Sequence, residues 1–148
     1  MLVKAEIKNI EREIKITLNF IEEAIISLIK TAAIIKRKLG DRSYLVTSTN
    51  EDFVIIITIC DSLLGELDSL ERKVPIQNKP FVEGMKENVK GLKKLSSNWK
   101  KTDDEKDRNT IAGSILNSIL TYLEMIINSY SGLGRSKTSL EKELKKLK

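Results

Sequence analysis

The chain has 148 residues, and its 26 lysines and arginines exceed its 21 aspartates and glutamates, which gives a formal net charge of +5. Hydrophobic residues make up 41% and charged residues 32%, a balance that excludes a disordered chain and a membrane-spanning segment. Because there is one cysteine, Cys60, and no histidine, an internal disulfide and the usual zinc sites are excluded as well. We expect one domain, residues 1–148, with no metal and no cofactor.

The start of the sequence lacks the basic stretch, the apolar stretch and the small-residue cleavage site of a secretory signal. We therefore predict a cytoplasmic location, or one within a virion or an intracellular complex. Abundant Lys and Glu with a single glutamine, Gln77, is the direction seen in heat-adapted proteins and favours a thermophilic source. AT-rich coding, which also enriches lysine, is the alternative explanation.

The first predicted helix covers residues 2–39, where apolar residues recur at alternating steps of three and four. They are Ile7, Ile10, Ile14, Leu18, Ile21, Ile25, Leu28, Ala32, Ile35 and Leu39. At 1.5 Å per residue this helix would measure roughly 55 Å, whereas a sphere of this chain length is about 38 Å across. Its first turns, with Ile7, Ile10 and Ile14, should therefore extend beyond the rest of the chain. An exposed apolar stripe of this kind predicts self-association.

The second and third predicted helices cover residues 50–73 and 80–101. A Ser-x-x-Glu capping box, Ser48 to Glu51, precedes the second helix. Residues 53–60 are rich in β-branched side chains and, considered alone, could form a buried strand. The helical interpretation is preferred because apolar residues continue beyond them at helical spacing and no other stretch offers a partner strand. Pro80 opens the third helix at a first-turn position. Gly84 and Gly91 within it should let another helix approach closely.

The fourth and fifth predicted helices cover residues 103–131 and 138–147. Capping boxes precede both, at Thr102 to Glu105 and at Thr138 to Glu141, and Gly132 to Gly134 ends the fourth helix. The short fifth helix should dock on the others through Leu140, Leu144 and Leu147 rather than insert into a membrane. The predicted fold is all-α, an elongated bundle of four long helices with a short C-terminal helix.

Positive charge is concentrated in the third helix. Seven lysines and two glutamates fall within residues 79–101. Six of the lysines lie roughly opposite the apolar stripe from Phe81 to Trp99, and we call them the lysine face: Lys86, Lys90, Lys93, Lys94, Lys100 and Lys101. Such point charges suit a phosphate backbone without base reading. A solvated helix face in a lysine-rich protein is the structural alternative.

The tail adds Arg135 and Lys137 to the candidate binding residues. They precede a helix start, where an anion could bind. Residues 132–138 contain Gly, Lys and Thr in the order of a nucleotide-binding loop. They differ from such a loop because they follow a helix rather than a strand, have Ser136 in place of the glycine before the lysine, and have too short a spacing. Asp103, Asp104, Glu105 and Asp107 point in different directions on a helix and should not share a metal ion. Cys60 continues the helical spacing of the apolar residues around it, and its thiol should be an inert, buried apolar group.

No nucleophile is paired with a base in this sequence, so we predict that the protein is not an enzyme. The preferred interpretation is a helical-bundle assembly subunit that self-associates or joins other protein subunits. Its lysine face would meet nucleic acid, without sequence preference, or another acidic surface. The alternative is a protein-binding adaptor or regulator that has no nucleic-acid role.

Overall fold

The computed structural model of the protein describes residues 3–40, 46–100 and 105–148, and the side chains of residues 3–39, 50–99 and 114–148. Within these residues there are five α-helices, one turn of 3-10 helix at Ile76–Asn78, and no strand. The α-helices are α1 (Lys4–Gly40), α2 (Val46–Glu71), α3 (Lys79–Lys100), α4 (Glu105–Gly132) and α5 (Thr138–Leu147). The predicted all-α fold of four long helices and a short C-terminal helix is confirmed.

Successive long helices pack against each other, α1 on α2, α2 on α3 and α3 on α4, and α1 also contacts α4. Two ion pairs show that α1 and α2 are antiparallel, because they join opposite ends of the two helices. Lys38 Nζ lies 2.8 Å from Asp52 Oδ2, and Lys73 Nζ lies 3.5 Å from Glu13 Oε2. The core between the helices is continuous and consists mainly of aliphatic residues. It also contains Phe53 and Trp99, whose ring centroids are 5.5 Å apart.

The short helix α5 packs on α1, as the leucine spacing predicted. Leu140, Leu144 and Leu147 are all buried, and burying a leucine side chain contributes roughly 1.5–3 kcal/mol. Lys36 Nζ donates hydrogen bonds to the backbone oxygens of Leu147, at 2.6 Å, and Lys148, at 3.2 Å. This cation therefore satisfies carbonyl groups at the end of α5, where the helix dipole is negative.

Helices α3 and α4 approach closely at two glycines. A Cβ atom added to Gly91 would lie 2.5 Å from the Tyr122 ring, and one added to Gly132 would lie 2.3 Å from the Phe81 ring. Each ring therefore occupies space that a side chain would need. The expected close helix approach is confirmed at Gly91, whereas a Cβ at Gly84 would make only an ordinary contact, 3.4 Å from Ser129 Oγ.

One predicted helix start and one predicted capping box are wrong. Helix α2 begins at Val46, so Ser48 lies within the helix and does not cap it. Ser, Thr and Asn are tolerated in helices, and a short motif match therefore does not fix the start. Helix α5 begins at Thr138, at the predicted position, but its N-cap residue is Lys137 and no side chain caps it, so the predicted capping box is absent. The backbone N–H of Thr138 donates to Ser136 Oγ at 3.4 Å instead.

The capping box from Thr102 to Glu105 falls mainly on residues 101–104, outside the described residues. The end of α4 matches the prediction. The helix ends at Gly132, and Gly134 adopts a φ of 85°, in the left-handed region that favours glycine.

Candidate functional site

The amino-terminal arm, defined here as residues 3–13, comprises Val3 and the first turns of α1, and it meets the bundle near its end through Glu13 and Lys73. Every side chain in it is exposed except that of Ile10, which is half-buried. Val3 is 59% exposed and Ile7 is 44% exposed. Val3, Ile7 and Ile10, called the arm stripe below, continue the heptad spacing of the buried α1 residues. The arm therefore presents to solvent the same face that α1 buries further along.

The bundle begins where the arm ends. Ile14 packs against the core beside Leu18 and borders a cavity of about 230 Å³ that Val74, Pro75 and Leu133 also line. Ile14 was predicted to extend beyond the bundle with Ile7 and Ile10, and this placement is wrong. The turn after α2 reaches far enough along α1 to cover Ile14, while Ile7 stays uncovered.

Two members of the lysine face are engaged by carboxylates of α2. Lys86 Nζ lies 2.7 Å from Asp68 Oδ1 and 2.8 Å from Glu71 Oε2. These hydrogen bonds raise the pKa of Lys86, and the hydrogen bond from Lys86 lowers the pKa of Asp68. One heptad away, Lys93 Nζ lies 2.5 Å from Asp61 Oδ1. Both lysines therefore connect α2 with α3.

The rest of the lysine face is divided between exposed and undescribed side chains. Lys90 is exposed and lies 3.7 Å from Glu87, an exposed residue on the same helix. Lys94 is exposed and forms no ion pair with the described residues. The side chain of Lys100 and the whole of Lys101 lie outside the described residues. Lys90 and Lys94 are thus the described lysines of this face that remain available to a partner.

Arg135 makes several contacts within the protein. Its Nε atom donates to Tyr130 Oη at 2.9 Å, and its Nη2 atom donates to Asn19 Oδ1 at 2.6 Å and lies 3.6 Å from Glu22. Burial raises the pKa of Tyr130, and the hydrogen bond with Arg135 opposes that effect. Arg135 therefore joins the turn before α5 to α1.

Lys137, the other basic residue predicted near the start of α5, also has partners within the chain. Its Nζ atom lies 3.3 Å from Asn128 Oδ1 and 3.2 Å from Glu141 Oε1. The structure does not bring Arg135 and Lys137 together with the lysine face. The former lie beside α1 and α4, whereas Lys86 and Lys93 lie beside α2.

The residues with potential catalytic chemistry are few. Cys60 is buried, and burial raises the pKa of its thiol to about 12, with Asp61 adding to the effect. The thiol is therefore protonated at neutral pH. Within the part of the chain that the structure describes, no three His, Cys, Asp or Glu residues come together to hold a metal ion. Asp103 and Asp104, and the side chains of Glu105 and Asp107, lie outside that part.

Sequence reasoning missed the ion pairs between α2 and α3. Their signal was present, because Asp61 and Asp68 are seven residues apart, as are Lys86 and Lys93. In antiparallel helices, moving seven residues forward along one helix corresponds to moving seven residues back along the other. One alignment of α2 and α3 therefore brings Lys86 next to Asp68 and Lys93 next to Asp61. The pattern of α3 alone does not reveal these pairs, because their carboxylates lie on the preceding helix.

None of the described helices has both the length and the apolar character needed to cross a membrane. Comparisons of the chain with protein families, with curated proteins and with solved structures find no match.

Proposed function

We propose that this protein is a non-enzymatic assembly subunit that self-associates through its amino-terminal arm. The observation that carries the proposal is the exposure of Val3 and Ile7, which together with half-buried Ile10 continue the apolar face of α1 past the point where the bundle covers it. Water-exposed apolar surface on a regular helix is well suited to pack against another helix.

The size of the arm stripe sets the expected strength of association. Fully burying a Val or Ile side chain contributes roughly 1.5–3 kcal/mol, and association loses translational and rotational freedom that offsets part of this gain. Three such residues per copy therefore support a reversible contact rather than a permanent one. We expect an assembly that dissociates on dilution.

Light scattering after size-exclusion chromatography tests this function. The wild-type protein at tens of micromolar should give a mass above the 16.8 kDa of one chain. The double variant Ile7→Glu, Ile10→Glu should give the mass of one chain, because it places charge in the stripe. Asn9→Glu, which changes an exposed side chain of the same arm, is the matched control and should assemble. A wild-type protein that stays monomeric would contradict the proposal.

A second candidate function uses the lysine face to bind the phosphate backbone of nucleic acid. It is supported by the exposure of Lys90 and Lys94, which leaves two cations near each other on the outside of α3. Binding through phosphate contacts alone should be independent of sequence and should weaken as salt increases. The alternative is a protein-binding adaptor or regulator that has no nucleic-acid role.

A gel shift with random single-stranded and duplex nucleic acid separates these alternatives. Lys90→Glu with Lys94→Glu should abolish binding without removing an ion pair between α2 and α3. Lys8→Glu with Arg12→Glu, on the exposed arm, changes the net charge by the same amount and is the charge-matched control, which should bind at a similar salt concentration. Absence of any shift with the wild-type protein at about 50 mM salt would rule out nucleic-acid binding.

A further inference from the structure

An apolar cavity lies at the base of the arm, where α1 enters the bundle. Ile14 and Leu18 line one side of it, and the turns after α2 and α4 line the other. The arm stripe leads into this cavity, because Ile7, Ile10 and Ile14 follow each other at steps of three and four on one face of α1. The exposed stripe and the cavity therefore form one continuous apolar surface.

The bundle limits which helix can lie on the arm stripe. Further along α1 the same face is buried, at Leu18, Ile21 and Ile25. A helix that packs on the stripe and runs toward the bundle therefore meets Val74 and Leu133 at the cavity. Because the axes of packed helices are about 8–10 Å apart, such a helix cannot pass beside these turns. The occupant of the stripe must be a helix that ends at the cavity.

The arm of a second copy presents such an end. Helix α1 begins at Lys4, and the backbone oxygen of Val3 accepts hydrogen bonds from the N–H groups of Glu6, at 3.0 Å, and Ile7, at 3.2 Å. From Val3 to Ile14 the chain rises about 17 Å. Two arms of this length overlap fully when they run in opposite directions, and the end of each arm then lies at the cavity of the other copy.

We propose that the arms of two copies pair antiparallel, with Val3 of each copy placed in the cavity of the other. This inference rests on the proposed self-association and identifies the partner surface as the arm itself. One alignment brings Val3 opposite Ile14 and Ile7 opposite Ile10, since four residues forward on one arm correspond to four residues back on the other. The contact is two-fold symmetric, so both cavities are filled at once. A parallel pair is excluded, because the second α1 would have to continue through the turns after α2 and α4.

The charges along one edge of the stripe are complementary in this alignment. Lys4 and Glu11 are seven residues apart and therefore lie on the same edge. Both are exposed, and neither forms an ion pair within the described part of the chain. With Val3 opposite Ile14, Lys4 of each copy lies near Glu11 of the other. The contact thus gains two ion pairs.

The other edge carries Glu6 and Glu13, which approach each other in the same alignment. Glu13 is already paired with Lys73, 3.5 Å away, and the side chain of Lys73 is 30% exposed. Lys73 is therefore close enough to solvent to pair with Glu6 of the second copy as well, which offsets the repulsion between the two carboxylates. The other basic residues of the arm, Lys8 and Arg12, lie on the far side of the helix and take no part.

Charge reversal tests the alignment. Lys4→Glu places like charges at both ends of the contact, and so does Glu11→Lys. Each variant alone should therefore raise the Kd of self-association by about tenfold, measured by light scattering over a range of concentrations. An equimolar mixture of the two restores opposite charges at both ends and should assemble with the Kd of the wild type. Lys8→Glu, on the far side of the arm, is the charge-matched control and should assemble like the wild type.

Disulfide formation tests where the end of the arm lies. Cys60 is buried, so a cysteine introduced in the arm reports on this contact. Val3→Cys alone should not cross-link, because the two copies of this residue are about 17 Å apart in the antiparallel pair, beyond the reach of a disulfide. Mixed with Ile14→Cys under oxidising conditions, it should give a covalent species of about 34 kDa, two chains of 16.8 kDa each. Circular dichroism of each variant checks folding.

The inference is overturned if Lys4→Glu assembles like the wild type, if the mixture of charge variants stays as weak as each variant alone, or if Val3→Cys cross-links with itself and not with Ile14→Cys. Assembly of the wild type alongside any of these results would leave the proposed function intact, with a different partner for the arm stripe. A monomeric wild-type protein would remove both proposals.

Discussion

The two ends of α1 carry the same apolar pattern in different surroundings. Ile21, Ile25 and Leu28 are at most 1% exposed, whereas Ile7 is 44% exposed, although all four lie on one face of one helix. The carboxyl-terminal part has α2, α4 and α5 as neighbours, whereas the arm meets the bundle near its end, where Glu13 pairs with Lys73. Apolar residues at heptad spacing thus indicate a face that packs, and the length of the neighbouring helices decides whether this chain supplies the partner.

The same contrast recurs in two other residue types. Gly91 lies against the Tyr122 ring, and Gly65 faces open space. Lys86 is held between two carboxylates of α2, and Lys90 extends into solvent. In each pair the residues are chemically identical and only the neighbours differ. The first three predictions below test whether the neighbours of a residue determine how much its side chain contributes to the stability of the fold.

The largest effect is expected in the α1 core. Leu28→Ala should lower the free energy of unfolding by about 2–5 kcal/mol, because the side chain is fully buried and leaves a cavity. Ile7→Ala should change it by less than about 0.5 kcal/mol in the monomer. Urea unfolding at a protein concentration below the association range measures both. Equal losses in the two variants would mean that the arm packs within its own chain.

A smaller effect is expected at the glycines. Gly91→Ala should lower the free energy of unfolding by about 1–3 kcal/mol, because the added Cβ overlaps the Tyr122 ring. Gly65→Ala should raise it by up to about 1 kcal/mol, since alanine has the higher helix propensity and the site is open. Thermal unfolding of the two variants provides the comparison. Stabilisation by both substitutions would show that α3 and α4 are further apart than described.

The smallest effect is expected at the lysines. Lys86→Gln should lower the midpoint of thermal unfolding, whereas Lys90→Gln should leave it nearly unchanged, because among the described residues the ion pair of Lys90 is with Glu87 on its own helix. The pKa of Asp68 lies below its usual 3.8 in the folded state, so its contribution is present above that value and lost as the pH falls through the folded pKa.

The difference between wild type and Lys86→Gln should therefore be full at neutral pH and should vanish in strong acid. Thermal unfolding followed from neutral to acidic pH measures this dependence. A difference that persists after the carboxylates are protonated would indicate that Lys86 acts through packing rather than through charge.

The helices were predictable because their signals are local. Heptad spacing identified α1, Pro80 marked the first turn of α3, and three leucines gave α5 its buried side. The capping boxes before α2 and α5 failed because each motif is only four residues long and fits neighbouring registers. Which lysines are free to bind a partner depends on α2, a separate helix, and could not be deduced from α3 alone.

The arm illustrates the same limit. The length of α1 relative to the rest of the chain predicted that its first turns extend beyond the bundle, and this holds for Ile7. The position of Ile14 depends on where the turn after α2 meets α1, at Val74 and Pro75. The place where this turn meets α1 is set by the alignment of α2 along α1, and the sequence pattern does not specify that alignment to within one helical turn.

Amide hydrogen exchange at several protein concentrations tests the central claim most directly, because it observes the arm itself. In the monomer the first turns of the arm lie ahead of its contact with the bundle at Glu11 and Glu13, so the amides of residues 3–10 should exchange rapidly. As the concentration rises, these amides should become protected, while those of Ile21 to Ile35 remain equally protected throughout. Arm exchange that does not change with concentration would contradict self-association through the arm.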